Sequence, residues 1–454
     1  MAVSTATGPG AIGIVRMSGP NAIVIAHAAF QPARGSAIQA KETYGLLYGH
    51  VVDPRTEESV DEALLLVMRA PRSYTREDVV EVHCHGGLAA QRAVLRLLVR
   101  LGARVAQPGE FTRRAFLNGR IDLAQAESVA AIVGARSSGA LRASVRQLEG
   151  GLSEKLRSLR RELVGLLAQI EVTVDFSDED IDPLDWEPLV RGLESVEGGL
   201  AGLLRTAFVG RALEHGVRTA IVGKPNVGKS SLLNALLMRE RAIVSDVPGT
   251  TRDTVEDFVE IGGIPIQLVD TAGMRTGGDY VEQQGVERSL KAMEQADLVL
   301  AVFDLSAGWD EKDGELVGSL DPSRSIIVRN KSDLMPGAGE RVPEAGQEGR
   351  HRCVVSAATG EGIDDLRACI QEVVTRGEGL HVEEPVLATE RQRNLVDEAR
   401  GYAGAALAGA LDRRDEELVC EDIREAVRAL GRITGEELTP DLLDEIFGRF
   451  CLGK

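Results

Sequence analysis

The residues Gly223-Lys-Pro-Asn-Val-Gly-Lys-Ser230 carry the spacing G-x-x-x-x-G-K-S, just after an apolar run at 219–222 and just before a helical run at 231–238. In that strand–loop–helix setting the glycines let backbone N–H groups converge on phosphate oxygens, at a helix N-terminus that already favours anions. Lys229 is placed to neutralise β- and γ-phosphates, and Ser230 to hold Mg²⁺ through its hydroxyl. Asn226, Val227, Gly228 and Ser231 complete that phosphate loop. Asp270, Thr271, Ala272 and Gly273 end the next apolar run, where a carboxylate reaches the metal and a glycine N–H senses the γ-phosphate. Between them Thr250-Thr251-Arg252-Asp253 lies on a polar stretch placed to bring a switch threonine, Thr251, to the metal.

Two later motifs address a base. Asn330, Lys331, Ser332 and Asp333 end one apolar run, and Ser356, Ala357 and Ala358 end the one after it. The Asp333 carboxylate can accept from both the ring N–H and the exocyclic amine of guanine. Adenine offers no such donor pair and would leave a buried carboxylate unpaired. These motifs, in this order, predict a GTP site. Met274 follows Gly273, where a glutamine often orients the attacking water, and a thioether cannot do that. Nearby carboxylates are Asp279, Glu282 and Glu287, and spacing does not select among them.

Such loops need a frame. Apolar runs at 219–222, 266–269, 298–303, 326–328 and 353–355 alternate with helical stretches, the mark of a parallel sheet with crossover helices. Upstream, to about residue 117, short apolar runs at 12–15, 63–67 and 79–82 mix with Gly and Pro punctuation and read as an α/β or α+β domain. Helix follows. Leu152, Leu156, Leu159, Leu163, Leu166 and Ile170 share one helical face, with Arg157, Arg160, Arg161 and Glu162 on the others. That stripe belongs in a bundle core or at a dimer interface, the seam being too short for a long coiled coil. After a Gly- and Glu-containing linker at 377–385, helix returns at 387–411, 420–430 and 442–450. The expected domains are 1–117, 118–212 and 213–377, then 378–454, so that an α/β unit interrupts a helical domain.

Composition narrows the partners. The 454-residue chain has a formal net charge of −18, so it cannot grip nucleic acid through a global basic field. Any RNA role needs a local basic patch or a basic partner. The five cysteines are irregularly spaced, which suits a reduced, cytoplasmic protein rather than a disulfide framework. The first ten residues lack the features of a signal peptide, and no apolar run approaches the roughly 20 residues of a membrane helix. His83-Cys84-His85 lacks a second cluster at ligand spacing and reads as a strand-to-loop segment. Cys451 reads as easily as a small buried hydrophobe as it does as a nucleophile.

Over essentially its full length the chain resembles the tRNA-modification GTPases of the MnmE, or TrmE, family. The likeness rests on Gly10-Ala-Ile-Gly-Ile-Val-Arg16, on Ser73-Tyr-Thr-Arg-Glu-Asp-Val-Val-Glu81 with His85-Gly-Gly87, and on Pro108-Gly-Glu-Phe-Thr-Arg-Arg-Ala-Phe-Leu-Asn118. Asp122-Leu-Ala-Gln-Ala-Glu127, the phosphate-loop domain and the terminal Cys451-Leu-Gly-Lys454 complete it. The resemblance implies a multidomain α/β and α fold: an N-terminal tetrahydrofolate-binding-like α+β domain that pairs two chains, a helical domain, and an inserted Ras-like P-loop GTPase domain. It implies K⁺-activated GTP hydrolysis coupled to aminomethyl-type modification of C5 of the wobble uridine of tRNAs. The implied partner is MnmG, an FAD and NADH protein that forms a heterotetramer with the homodimer.

Carried over by residue, Ser245, Asp246, Val247, Pro248, Gly249, Thr250 and Thr251 would line the GTP site. Asn226, Ser245, Val247 and Thr250 would hold K⁺, Ser230 and Thr251 Mg²⁺, and Glu282 would position the water. Arg16, Glu81, Arg120 and Lys454 would contact 5-formyltetrahydrofolate or a related one-carbon folate, cations toward the glutamate tail and the carboxylate toward the pterin. Arg120 stands where the family usually has Lys, and the run before Gly10 is short, so either an incomplete first strand or a late start is expected. For the four folate residues to share a pocket, the C-terminal tail must return to the N-terminal domain. Two rival readings are a ribosome-assembly GTPase without modification chemistry and a scaffold that keeps GTP as a static ligand.

Overall fold

The computed structural model describes the chain apart from residues 7, 9, 34–37, 39–42, 176–183, 239–257, 270–292, 336–350, 376, 378–383, 438–439, 449, 452 and 454. It forms two compact units. One comprises Met1–Val133, Gln147–Leu193 and Gly401–Lys454, the other Gly134–Arg146 and Glu194–Arg400.

The first unit opens with β1 (Ala2–Val3), β2 (Ile12–Ser18), α1 (Ala22–Ala29), β3 (Phe30–Pro32), β4 (Gly45–Val52), β5 (Ser59–Met68) and β6 (Val79–His85). Helices α2 (Leu88–Arg100), α3 (Glu110–Leu117) and α4 (Leu123–Gly134) follow. The strands form one six-stranded sheet in the order β1-β2-β6-β5-β4-β3, with antiparallel neighbours throughout, which makes this part α+β. The period-two alternation of β2 sends Val15 and Met17 into a core with Val80, Val82, Val94 and Leu97, under α1 and α2. Arg16, between them, faces the other side. The first strand is only two residues long, and the Met1 amino group donates to the Arg104 carbonyl at 2.8 Å.

Helices α5 (Ser138–Leu148), α6 (Gly151–Asp175) and α7 (Trp186–Arg205) come next; α12 (Glu390–Leu411), α13 (Glu416–Thr434) and α14 (Pro440–Gly448) close the chain. The leucine stripe of α6 is buried within the chain, along with Val419, Ile423, Ala426 and Leu430 of α13. It is a bundle core, tied at its rim by Arg424–Glu171 and Arg160–Glu436, each at 2.8 Å. In α14, Phe447 joins Phe450 in a cluster with Ala115, Ile121, Leu123 and Ala126.

The second unit holds α8 (Ala207–His215), β7 (Val217–Val222), α9 (Lys229–Met238), β8 (Phe258–Ile261), β9 (Ile264–Val269) and β10 (Leu298–Asp304). Then come α10 (Glu311–Ser319), β11 (Ser325–Asn330), β12 (His351–Val354) and α11 (Ile363–Thr375). Their sheet runs β12-β11-β10-β7-β9-β8, parallel except at the β8 edge. There Gly262 and Gly263, at φ 59° and 87°, close a two-residue hairpin that a β-carbon would strain. Among the described residues, no helix is long and apolar enough to cross a membrane.

Candidate functional site

The phosphate loop leaves the carboxyl end of β7 and enters α9, so the free N–H groups of the first helical turn face the same space as the loop. Its conformation is fixed by close packing. Gly223 has φ 144°, and a β-carbon there would lie 2.2 Å from the Val302 carbonyl of β10. Gly228 has φ 95°, and its β-carbon would lie 2.2 Å from the Asn330 side-chain nitrogen. Asn226 is left-handed without being glycine, at φ 64°. Lys229 curls back over the loop and donates to the carbonyls of Gly223 at 2.8 Å and Lys224 at 2.6 Å. Burial pushes its ammonium pKa down, because two carbonyl dipoles do not replace lost hydration or a counter-anion. A polyphosphate would supply that charge. Ser230 and Ser231 are exposed at the start of α9.

The two loops expected to read a base hang from β11 and β12 beside this loop. Asn330, 2% exposed, joins all three segments. Its side-chain N–H donates to the Val227 carbonyl at 2.9 Å, and its side-chain oxygen accepts from the Ala357 N–H at 3.0 Å. Lys331 adopts φ 68° and pairs with Asp304, whose carboxyl is held below its ordinary range: burial raises it, but the Lys331 and Ser306 contacts outweigh that. The Ser356 hydroxyl donates to Asp333 Oδ1 at 2.6 Å and itself accepts from the Thr359 N–H at 3.2 Å. Asp333 is thereby oriented with its second oxygen and remaining lone pairs available to two donors. Ser332 and Ala358 complete these loops. The structure brings together every predicted residue from Asn226 to Ser231, from Asn330 to Asp333 and from Ser356 to Ala358. Ser245, Asp246, Val247, Pro248, Gly249, Thr250, Thr251, Asp270, Thr271, Ala272, Gly273 and Glu282 lie outside the described residues.

A second polar cluster occupies the sheet face opposite α1 and α2. Arg16 and Glu81 are cross-strand partners on β2 and β6, with Nε 2.7 Å from Oε1; His83 lies 3.2 Å from the other carboxylate oxygen. Arg120 reaches the same place from the end of α3. Gly119, at φ 68°, stops the helix while the Arg120 N–H bonds back to the Ala115 carbonyl and the Gly119 N–H to Phe116. The Arg120 guanidinium stacks 4.7 Å from the Tyr74 ring centre and donates to the Tyr74 carbonyl at 2.9 Å. Arg16 approaches the same ring at 5.9 Å and Phe111 at 5.7 Å. Tyr74 itself is held by Thr112 at 2.9 Å. Lys454 lies outside the described residues, but the tail leading to it returns to the amino end. The Gly109 N–H donates to the Cys451 carbonyl and the Ser4 hydroxyl to the Gly453 carbonyl, and a β-carbon on Gly453 would meet the Val3 carbonyl at 2.4 Å.

Sequence reasoning missed Tyr74, the platform on which both arginines converge, although it stands inside a motif already noted. It also missed Asp304 and the carbonyls of Val227 and Val302. No motif marks a backbone acceptor.

Known proteins match the whole chain. Residues 1–120 match the family described as the GTP-binding protein TrmE N-terminus, and residues 123–451 match the MnmE helical domain. The tRNA modification GTPase MnmE of Synechococcus sp. (strain JA-3-3Ab) is 47% identical over 100% of this chain and 97% of its own length. That of Moorella thermoacetica is 45% identical over 100% of this chain and 98% of its own. A crystal structure of Era with MgGDPNP and nucleotides 1506–1542 of 16S ribosomal RNA is 31% identical over 34% of this chain and 55% of its own, at a TM-score of 0.27. With such identity along its entire length, the chain belongs to the MnmE (TrmE) family of tRNA modification GTPases.

Proposed function

We propose that this protein binds and hydrolyses GTP and acts in tRNA modification. The observation that carries the reading is Asn330, whose side chain bolts the phosphate loop to both base-reading loops while Ser356 aims Asp333. Nucleotide titration tests it. Asp333→Asn presents an amide donor toward the guanine amine, so GTP affinity should collapse and xanthosine triphosphate should be preferred. Retention of GTP affinity within about twofold would remove Asp333 as the base reader.

The finer chemistry rests on the family resemblance. The half-buried Lys229 and the glycine cradle suit a Mg²⁺-bound triphosphate, and Ser230 and Thr251 would hold the metal. K⁺ would sit on Asn226, Ser245, Val247 and Thr250 and supply positive charge at the β- and γ-phosphates, in place of the glutamine that Met274 is not. Glu282 would position the attacking water. Hydrolysis should then run much faster in KCl than in NaCl at equal ionic strength, and equal rates would remove the potassium site.

Arg16, Glu81 and Arg120, gathered around Tyr74 with the tail nearby, suit a one-carbon folate. Arg16 and Arg120 would face its carboxylates, and Glu81 would accept from its pterin. In this reading the product is a wobble uridine carrying an aminomethyl-type group at C5, made with an MnmG-type FAD partner and with tRNA held by the complex. Homodimerisation through the N-terminal domain is supported by Ile12, Leu46, Tyr48 and Leu64, exposed on the sheet face away from α1 and α2. The division at 1–117, 118–212, 213–377 and 378–454 assigns these duties to separate domains. Comparing tRNA nucleosides with and without the gene separates this from a ribosome-assembly role: normal wobble uridines in the deletion would overturn it.

A further inference from the structure

Cys353 sits on β12 and Cys369 on α11, and the Cys353 sulfur lies against the backbone of Asp365, one helical turn before Cys369. Both line one cavity of about 460 Å³, with His351, Asp365, Ala368 and Glu372. Cys353 is buried, with its thiol 4.0 Å from the Asp365 carbonyl; Cys369 is half-exposed. The segment between the two cysteines contains Ser356 and Ala357, the residues that aim Asp333 and hold Asn330. No part of the GTP reading uses this pair.

We propose that Cys353 and Cys369 are a redox-responsive dithiol whose closure to a disulfide weakens guanine-nucleotide binding. The half-exposed thiol reacts first. The Cys369 sulfur attacks an oxygen of hydrogen peroxide, the O–O bond breaks, the other oxygen leaves as water with the thiol proton, and Cys369 becomes a sulfenic acid. The Cys353 sulfur then attacks the Cys369 sulfur; the S–S bond forms, the S–O bond breaks, and a second water carries off the remaining proton. Two electrons pass from the sulfur pair to the peroxide. The division of roles follows the surroundings. The neighbouring Cys353 thiol lowers the Cys369 pKa, overcoming burial, whereas Cys353 is pushed up by its proximity to Cys369, by burial, and by Asp365 and Glu372.

The consequence follows from topology. An S–S bond of about 2.05 Å is much shorter than any non-bonded thiol contact, so closure draws β12 and α11 together. β12 is the edge strand, paired only with β11, and it yields more readily than a helix packed on the sheet. Its carboxyl end leads directly into Ser356 and Ala357. A shift there misaims Asp333 and strains the Asn330 bond.

This effect rests on the guanine reading, so the test measures cross-link and affinity separately. The full-length reduced chain is treated with hydrogen peroxide, mapped by peptide mass spectrometry and titrated with a fluorescent GDP analogue. The expected result is a 353–369 cross-link with affinity weakened by more than about threefold. Dithiothreitol should restore it, and neither Cys353→Ser nor Cys369→Ser should respond. Oxidation of Cys369 without a cross-link, or a cross-link with unchanged affinity, would overturn the proposal. Failure of the reduced chain to bind GDP would overturn the guanine reading, and the proposed output with it, while the cross-link is still read by mass.

Discussion

The nucleotide loops and the N-terminal polar cluster are built on opposite plans. In the second unit each loop follows its own strand, and neighbouring parallel strands deliver their carboxyl ends to one edge, where ligands bind in open α/β sheets. One buried side chain, Asn330, then locks the loops together. In the first unit no loop is a site by itself. Arg16 and Glu81 meet because β2 and β6 pair in that register, Arg120 arrives on a helix cap, and the tail arrives from the far end of the chain. A site made of contiguous motifs fails through local backbone damage, whereas a site assembled from distant pieces fails when any one piece is withdrawn.

The sharpest way to break this contrast is Gly228→Val. The residue has a positive φ, and the added β-carbon would strike the amide that joins the loops. GTP affinity should fall by roughly 100-fold or more by isothermal titration, with folate binding unchanged. A loss below about tenfold would mean that the lock at Asn330 is dispensable. Next in size is deletion of 451–454. It should abolish 5-formyltetrahydrofolate binding in equilibrium dialysis while K⁺-stimulated turnover persists. Gly453→Val, aimed at the Val3 carbonyl, should weaken folate binding without removing Lys454. Unchanged folate affinity in both would place the tail outside the pocket.

A smaller effect concerns the scaffold of the assembled site. Glu110 caps the network around α3, accepting from Arg104 at 2.5 Å, Arg114 at 2.6 Å and the Gln107 N–H at 2.9 Å. Burial raises its pKa, but these contacts outweigh it and bring the carboxyl down from 4.5 to about 2. Because the folded pKa is the lower one, this stabilisation is fully present above pH 4.5 and is lost as pH falls toward about 2. The gap in melting temperature between the wild type and Glu110→Gln should therefore be open at neutral pH and close across that window. A gap independent of pH would assign the effect to packing. Smallest of all, Arg120→Lys restores the usual family residue but gives up the planar stack on Tyr74. Folate affinity should change by no more than about fivefold. A larger loss would make the stack, rather than the charge, the reason for Arg120.

The sequence by itself determined whatever is local. Residues 223–230, 330–333 and 356–358 form contiguous motifs, because a phosphate or guanine site of this kind is built from backbone and short side chains within a few positions of one another. The alternation of apolar runs and helices likewise marked the core strands as parallel, though not their order in the sheet, and the leucine spacing of α6 marked its buried face. The β8 edge was not legible, since a four-residue strand beside two glycines carries too little periodicity to stand out. The tertiary structure alone decided the rest. It made Asn330 the joint between loops, brought two guanidiniums to Tyr74, laid the tail across the amino end and put two cysteines on the lining of one cavity. Each of these depends on register, on a helix cap or on packing between distant segments, and such contacts leave no mark in the spacing of residues along the chain.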